Sequence, residues 1–220
     1  MQEQAIRTVI DNSSVFTPGN NQPQLGFRRS ELIAQGDQSG DRTEFNTKIE
    51  SGITVFHFSV QTDPKQLLNF KHEYQPLFIE PKDGSHVFDL QTGMMRAPTL
   101  LSPPSWTDRR RSLVPGTPFN TTVSDLASHM LRIRSHDTTA LFQTPFEEDT
   151  WHNFAVAVDW DKRTLQVYYS TNADPLQAVT AVEDNSSAPQ GLDGQGDFHF
   201  GLLKVRLEAS ILATLSEPIF

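Results

Sequence analysis

The chain of 220 residues contains no cysteine. Disulfide frameworks, thiol nucleophiles and Cys-ligated zinc or iron–sulfur centres are therefore excluded. Positive charge is also scarce. The 18 Lys and Arg stand against 27 Asp and Glu, leaving a net charge of −9. A nucleic-acid backbone or an anionic membrane surface calls for a positive field, so neither is expected as a partner. No apolar run approaches the ~20 residues of a membrane span. Met1 to Ile10 is polar and charged, without the apolar stretch of a signal peptide. Helical signals are thin as well: there is no long stripe at the helical period, no heptad and no fixed repeat. The G-x-S-x-G elbow, the P-loop, H-E-x-x-H and the dinucleotide fingerprint are all missing. The His residues are scattered without ligand spacing, so no metal and no cofactor is expected. Asp193-Gly194-Gln195-Gly196-Asp197 offers oxygens to a hard cation, but without the EF-hand spacing it reads as a turn.

What remains is mostly strand. The length suits one domain over 1–220, with enough core to need no disulfide or metal. Apolar residues recur at period two in Gly26 to Ile33, Ile53 to Val60, Asn69 to Glu80 and His86 to Gln91. In the third of these, Phe70, His72, Tyr74 and Phe78 fall on one side. Lys71, Glu73, Gln75, Leu77 and Ile79 fall on the other. Met130 to Arg134 with Thr139 to Thr144, and Trp151 to Trp160 with Thr164 to Ser170, read as hairpins across short polar links. Phe198 to Leu207 is a last strand. Asp63 to Asn69 and Ser124 to Met130 have room for a helical turn or two. Many strands separated by turn signals predict an all-β fold, a two-sheet antiparallel sandwich or jelly roll. Two long loops are expected to act as walls or lids: the Pro-rich Ala97 to Asn120, carrying Arg109-Arg110-Arg111, and the polar Ala173 to Asp197. The Arg triplet reads as solvated. Asn12-Ser13-Ser14, Asn120-Thr121-Thr122 and Asn185-Ser186-Ser187 are acceptor tripeptides in turn-like sequence, where glycans could sit.

Ionisable groups inside strand patterns carry the functional signal. Arg29 and Glu31 share a face, as do Lys71, Glu73 and Gln75. Such a face is either a solvent face or a polar groove in which carboxylates meet a hydroxyl-rich ligand. His57 and His199 each stand between two Phe, opposite apolar neighbours, and such a His is more often packed than catalytic. Two Glu from different strands of one sheet would meet the requirement of glycoside hydrolysis for an acid and a second carboxyl group.

An ordered series of blocks resembles the fungal glycoside hydrolase family 131. It runs from Gly26-Phe27-Arg28-Arg29-Ser30-Glu31-Leu32-Ile33 through Phe56-His57-Phe58-Ser59, Asn69-Phe70-Lys71-His72-Glu73-Tyr74-Gln75 and Phe78-Ile79-Glu80-Pro81. It continues through Asp83-Gly84-Ser85-His86-Val87-Phe88 and Trp151-His152-Asn153-Phe154-Ala155-Val156 to Phe198-His199-Phe200-Gly201-Leu202-Leu203-Lys204. The resemblance implies a β-jelly roll with a concave substrate cleft and a secreted β-glucanase, its signal peptide not in this chain. It implies exo action on β-1,3 and β-1,6 glucans and endo action on β-1,4 glucans. Glu31, Glu73 and His152 are the catalytic candidates that it marks. Arg29, Lys71, Gln75, His57 and His199 are the candidates for holding substrate. His152 shares its strand face with Phe154, Val156 and Val158, which reads as core, unless it lies at the strand end where the cleft begins. The expected partner is a β-glucan polymer, and the expected state is a monomer. Members of the family usually carry a longer segment before the Phe-Arg-Arg block, and loss of outer strands would expose sheet edges. A polysaccharide lyase would instead use Arg29, Lys71 and Gln75 to neutralise a uronate, with His152 or Tyr168 as base. A carbohydrate-binding jelly roll without turnover is the third reading.

Overall fold

The period-two runs form two antiparallel sheets. The computed structural model describes residues 5–17, 21–34, 50–94 and 125–206. Its strands, in chain order, are β1 (Val15–Phe16), β2 (Gln24–Ala34), β3 (Ile53–Val60), β4 (Glu73–Pro81), β5 (Phe88–Gly93), β6 (Met130–Ser135) and β7 (Ala140–Pro145). They continue with β8 (His152–Asp159), β9 (Thr164–Thr171), β10 (Gln177–Ala178), β11 (Glu183–Asp184) and β12 (Gly196–Val205). A seven-stranded sheet has the order β1-β2-β12-β4-β5-β6-β7, and a five-stranded sheet has the order β10-β9-β8-β3 with β11 also on β9. The helical turn expected near Met130 is the short helix α1 (Asp125–Ser128).

Alternation along the strands separates the faces. Leu77, Ile79, Phe88, Leu90, Leu131 and Ile133 of the larger sheet join Phe56, Phe154, Val156, Val158, Leu165 and Val167 of the smaller one in a single buried cluster. Burying side chains of this size contributes roughly 1.5–3 kcal/mol each before the entropy of ordering is subtracted. The two hairpins form as expected. In the β6–β7 link, Ser135 Oγ and Thr139 N–H both donate to Asp137 Oδ1. In the β8–β9 link, Asp159 Oδ1 accepts Lys162 N–H at 2.8 Å.

Two elements differ from expectation. The run from Asn69 does not enter the sheet until Glu73. Asn69 first makes a turn, its Oδ1 accepting Lys71 N–H and its backbone carbonyl accepting His72 N–H. An Asn side chain competes with strand pairing in this way. Within β4 the pairing then slips between Tyr74 and Leu77. Pro76 lies in the slip, where a residue without an N–H costs no ladder bond. The extra residue puts Glu73 and Gln75 on the opposite face from Leu77 and Ile79, although all four are odd-numbered. Asp63 to Asn69 forms turns, Asp63 accepting Lys65 N–H and Gln66 N–H.

The expected loop 97–120, with Arg109, Arg110 and Arg111, lies outside the described residues. Residues 173–197 are not a free lid: they supply β10 and β11 to the edge of β9 and a 3-10 turn at Gly191–Asp193. Asn185, in one acceptor tripeptide, is buried, donating to the Val87 carbonyl and accepting His136 N–H. A glycan has no room there, whereas Asn12 is exposed and Asn120 lies outside the described residues.

The sheets are tied at one end by Glu50, just ahead of β3. Its Oε2 accepts Gly196 N–H at the start of β12, and its carbonyl accepts Gln195 Nε2–H at 2.6 Å. Burial pushes this carboxyl up to about 8, the nearby Asp197 adding to the rise.

Candidate active site on the outer face of the larger sheet

The polar side chains gather on the face of the seven-stranded sheet turned away from the core. The pairings Arg29↔Leu203, Glu31↔Gly201 and His199↔Phe78 place β2, β12 and β4 residues side by side on that face. Asp89 and Arg134 are cross-strand partners, as are Gln91 and Arg132. They alternate with the core residues Phe88, Leu90, Leu131 and Ile133, so they point outward.

The first cluster is built on β2 and β12. Arg29 Nη2 lies 2.5 Å from Glu31 Oε1 and 3.7 Å from Glu80 Oε2. His199 Nδ1 is 3.2 Å from the same Glu31 oxygen, and its Nε2 is 3.7 Å from Glu80 Oε2. Arg29 Nη2 is also 3.1 Å from His199 Nδ1. Nδ1 cannot both accept from Arg29 and donate to Glu31. Arg29 already bonds Glu31, so an N–H on Nδ1 donating to Glu31 matches every group and leaves Nε2 the acceptor. Burial pushes the Glu31 carboxyl up, but the His199 hydrogen bond and the Arg29 charge outweigh it and hold the group below the usual carboxylate range. Gly201 makes this closeness feasible: its φ is +153°, and a Cβ there would collide with Glu31 Cα and Ser30 O.

The second cluster spans β4, β5 and β6. Arg134 grips Asp89 through Nε at 2.8 Å and Nη2 at 2.6 Å, and its Nη2 reaches Glu73 Oε1 at 3.3 Å. Gln75 Nε2–H donates to Glu73 Oε1 at 3.1 Å, and His86 Nδ1 contacts Asp89 Oδ2 at 3.1 Å. Burial pushes Asp89 up, but Arg134 and His86 bring it down to about 2. Arg132 extends the network, bonding Gln91 Oε1 and the Ala127 carbonyl.

Phe78 joins the two clusters. Its ring stacks on His86 at 4.4 Å and on His199 at 4.5 Å, nearly parallel to both. Two rings that close and that parallel must lie on opposite faces of Phe78. The Arg29 guanidinium lies over Phe16 at 4.7 Å and over Phe78 at 5.7 Å.

Of the residues marked by the sequence, Glu31, Arg29, His199, Glu73 and Gln75 meet on this one face. The other three do not. His152 is buried between the sheets, its Nδ1 2.8 Å from Tyr169 Oη and its ring edge-on to Phe146. It keeps the face of Phe154 and Val156 and so belongs to the interior. His57 is exposed on the far face of the smaller sheet, opposite Ala155. Lys71 is exposed in the Asn69 turn, ahead of the strand. The lyase arrangement is not assembled either: Lys71 and His152 are elsewhere, and Tyr168 bonds Gln166 on the smaller sheet. Sequence reasoning missed Glu80, His86, Asp89, Gln91, Arg132, Arg134 and the role of Phe78. The signal was present, since Asp89-Gln91 and Arg132-Arg134 are polar residues two apart inside apolar strands. Among the described residues, no three His, Asp or Glu are grouped as metal ligands.

Solved structures of similar fold include two catalytic domains of glycoside hydrolase family 131. The crystal structure of a GH131 beta-glucanase catalytic domain from Podospora anserina superposes with a TM-score of 0.59 at 21% identity, covering 89% of this chain and 61% of that one. The catalytic domain of the glycoside hydrolase family 131 protein from Coprinopsis cinerea gives a TM-score of 0.54 at 22% identity, covering 81% and 56%. The chain thus spans about three-fifths of the length of these structures, and at such identity they show the fold alone. No curated protein matches the sequence. The profile of the glycoside hydrolase 131 catalytic N-terminal domain, however, matches residues 1–216. With nearly its whole length inside that profile, the chain belongs to glycoside hydrolase family 131.

Proposed function

We propose that the outer face of the larger sheet hydrolyses β-glucan, with Glu31 and Glu73 as its principal carboxylates. One observation carries this reading: Glu31 and Glu73, from separate strands, stand on one face with Phe78 and its two stacked imidazoles between them. Glu31, held ionised by His199 and Arg29, is suited to take a proton from water or to attack the anomeric carbon, not to donate a proton. Glu73, ion-paired to Arg134 and bonded by Gln75, offers negative charge to the oxocarbenium-like sugar of the transition state. Arg29, Gln75 and His199 are placed to bond sugar hydroxyls. The reading extends to β-1,3, β-1,6 and β-1,4 linkages and to work outside the cell, on polymers too large to enter it.

The test is a product profile of the full chain on β-1,3, β-1,4 and β-1,6 glucans. New reducing ends are expected, without the ultraviolet absorbance of an unsaturated lyase product. Glu31→Gln keeps the shape but loses the carboxylate and is expected to lower kcat by about 10³-fold or more. Glu31→Gln turning over at the wild-type rate would sink the assignment. Saturable glucan binding with no product from the wild type would mark a binding module instead.

A further inference from the structure

We infer that Glu80 is the proton donor to the departing sugar oxygen, and that His199 holds it opposite Glu31. The inference rests on the reading that this face cleaves a glycosidic bond. Hydrolysis by Glu31 in its ionised form leaves the acid unassigned. Glu73 is poorly placed to fill the gap. It is engaged by Arg134 and Gln75 on the far side of Phe78, and its side chain is 9% exposed. Asp89, at 4%, is gripped by Arg134. Glu80 differs in its exposure and in being held more loosely, with Arg29 at 3.7 Å and beyond hydrogen-bond distance. Its side chain is 33% exposed, against 11% for Glu31. Of the four carboxylates it is the most exposed to solvent.

Geometry ties Glu80 to Glu31. Both carboxyl groups lie against the same Arg29 nitrogen, at 3.7 Å and 2.5 Å, which caps their nearest oxygens at about 6 Å apart. Carboxyl pairs acting on one glycosidic bond stand about 5–5.5 Å apart where one attacks the sugar and roughly 6.5–9.5 Å apart where one activates water. Measured between carboxyl centres, the bound on this pair reaches the lower end of the second range. His199 lies between them, Nδ1 toward Glu31 and Nε2 toward Glu80. His199 thus turns Nε2 to Glu80 Oε2 and sets where that carboxyl group stands. The 3.7 Å gap is longer than a hydrogen bond, as contacts often are before substrate closes the site.

The step balances. The Glu80 proton passes to the glycosidic oxygen as the bond from that oxygen to the anomeric carbon breaks. Water adds to the anomeric carbon, and its proton goes to Glu31. The products are a new reducing end and a released sugar hydroxyl, and no oxidant or co-reactant is required.

The experiment compares two substrates with the full chain. One is a β-glucan, whose leaving alkoxide needs a proton. The other is a β-glucoside oligomer with a dinitrophenyl leaving group, which departs without one. Glu80→Gln is expected to lose about 10²–10⁴-fold in kcat on the glucan while cleaving the dinitrophenyl substrate near the wild-type rate. Glu80→Asp, which keeps the acid on a shorter arm, is expected to recover part of the glucan rate. Glu31→Gln is expected to fall on both substrates. Equal losses for Glu80→Gln on both, or none on the glucan, would overturn the role of Glu80 while leaving Glu31 intact. Full activity of Glu31→Gln on both would overturn the underlying reading as well.

Discussion

Asp89 and Arg134 show how much of this face is structural electrostatics before any chemistry is asked of it. Both are buried, and Arg134 balances Asp89 and Glu73 at once. Removing one partner from a buried pair leaves the other charge without compensation. Arg134→Met is therefore expected to lower stability by about 3–5 kcal/mol in urea unfolding at pH 7. The acid side has its own signature. Asp89 sits at about 2 when folded, against 3.8 in a free side chain. Its stabilisation is complete above about 4 and disappears as pH falls through 2, a change of roughly 2 kcal/mol. Urea midpoints between pH 2 and 5 are expected to show this slope in the wild type and to lose it in Arg134→Met. At this scale the sequence was partly legible. Arg29, Glu31, Gln75 and His199 stood out as polar residues inside strands. Asp89 and Arg134 carried the same mark but lay in short strands with little pattern around them. His57 misled because alternation says that two residues share a face, not which sheet or which side that face belongs to. Lys71 fell in the turn that delays β4, and His152 kept the core face that alternation assigned it.

At the scale of elements, β12 is the piece on which the site depends. It enters the sheet at the Glu50 tie, carries His199 and passes Glu31 at Gly201. Glu50, at about 8, gives stabilisation that is complete below 4.5 and lost as pH rises through 8. Glu50→Gln keeps an acceptor for Gly196 N–H but cannot ionise. Thermal melts are expected to show the wild type weakening from pH 5 to pH 8.5, and the variant staying nearly flat and standing roughly 5 kcal/mol higher at the alkaline end. Gly201→Ala tests the other end. The methyl group strains a backbone that suits glycine and pushes on Glu31, so a loss of about 1–3 kcal/mol in urea unfolding is expected. A drop in kcat on glucan of about tenfold or more should accompany it. The strand pattern located these elements well, since their apolar alternation is long. It missed the slip in β4, because a single extra residue leaves composition unchanged and only inverts the faces. Pro76 was the available warning.

For the molecule as a whole, one buried cluster draws side chains from both sheets. The two sheets are therefore expected to melt as one cooperative unit, with intrinsic tryptophan fluorescence and far-ultraviolet circular dichroism losing signal at the same temperature. Separate midpoints would show that the sheets hold independently. The sandwich itself was the most legible feature of the sequence: many strands, polar turns and almost no helical periodicity leave few other layered solutions. The site was less so, because convergence of residues distant in the chain depends on strand order. The neighbours β2, β12 and β4 bring Glu31, His199 and Glu80 together from positions up to 168 residues apart.

The Phe78 sandwich also gives the protein an internal spectroscopic marker. Hydrogens held over the face of an aromatic ring are shielded by its circulating electrons. The carbon-bound imidazole protons of His86 and His199 should thus resonate upfield of those of the exposed His57. Any ligand that slides an imidazole off the ring would move its signal back, reporting occupancy of this face without a label and without turnover.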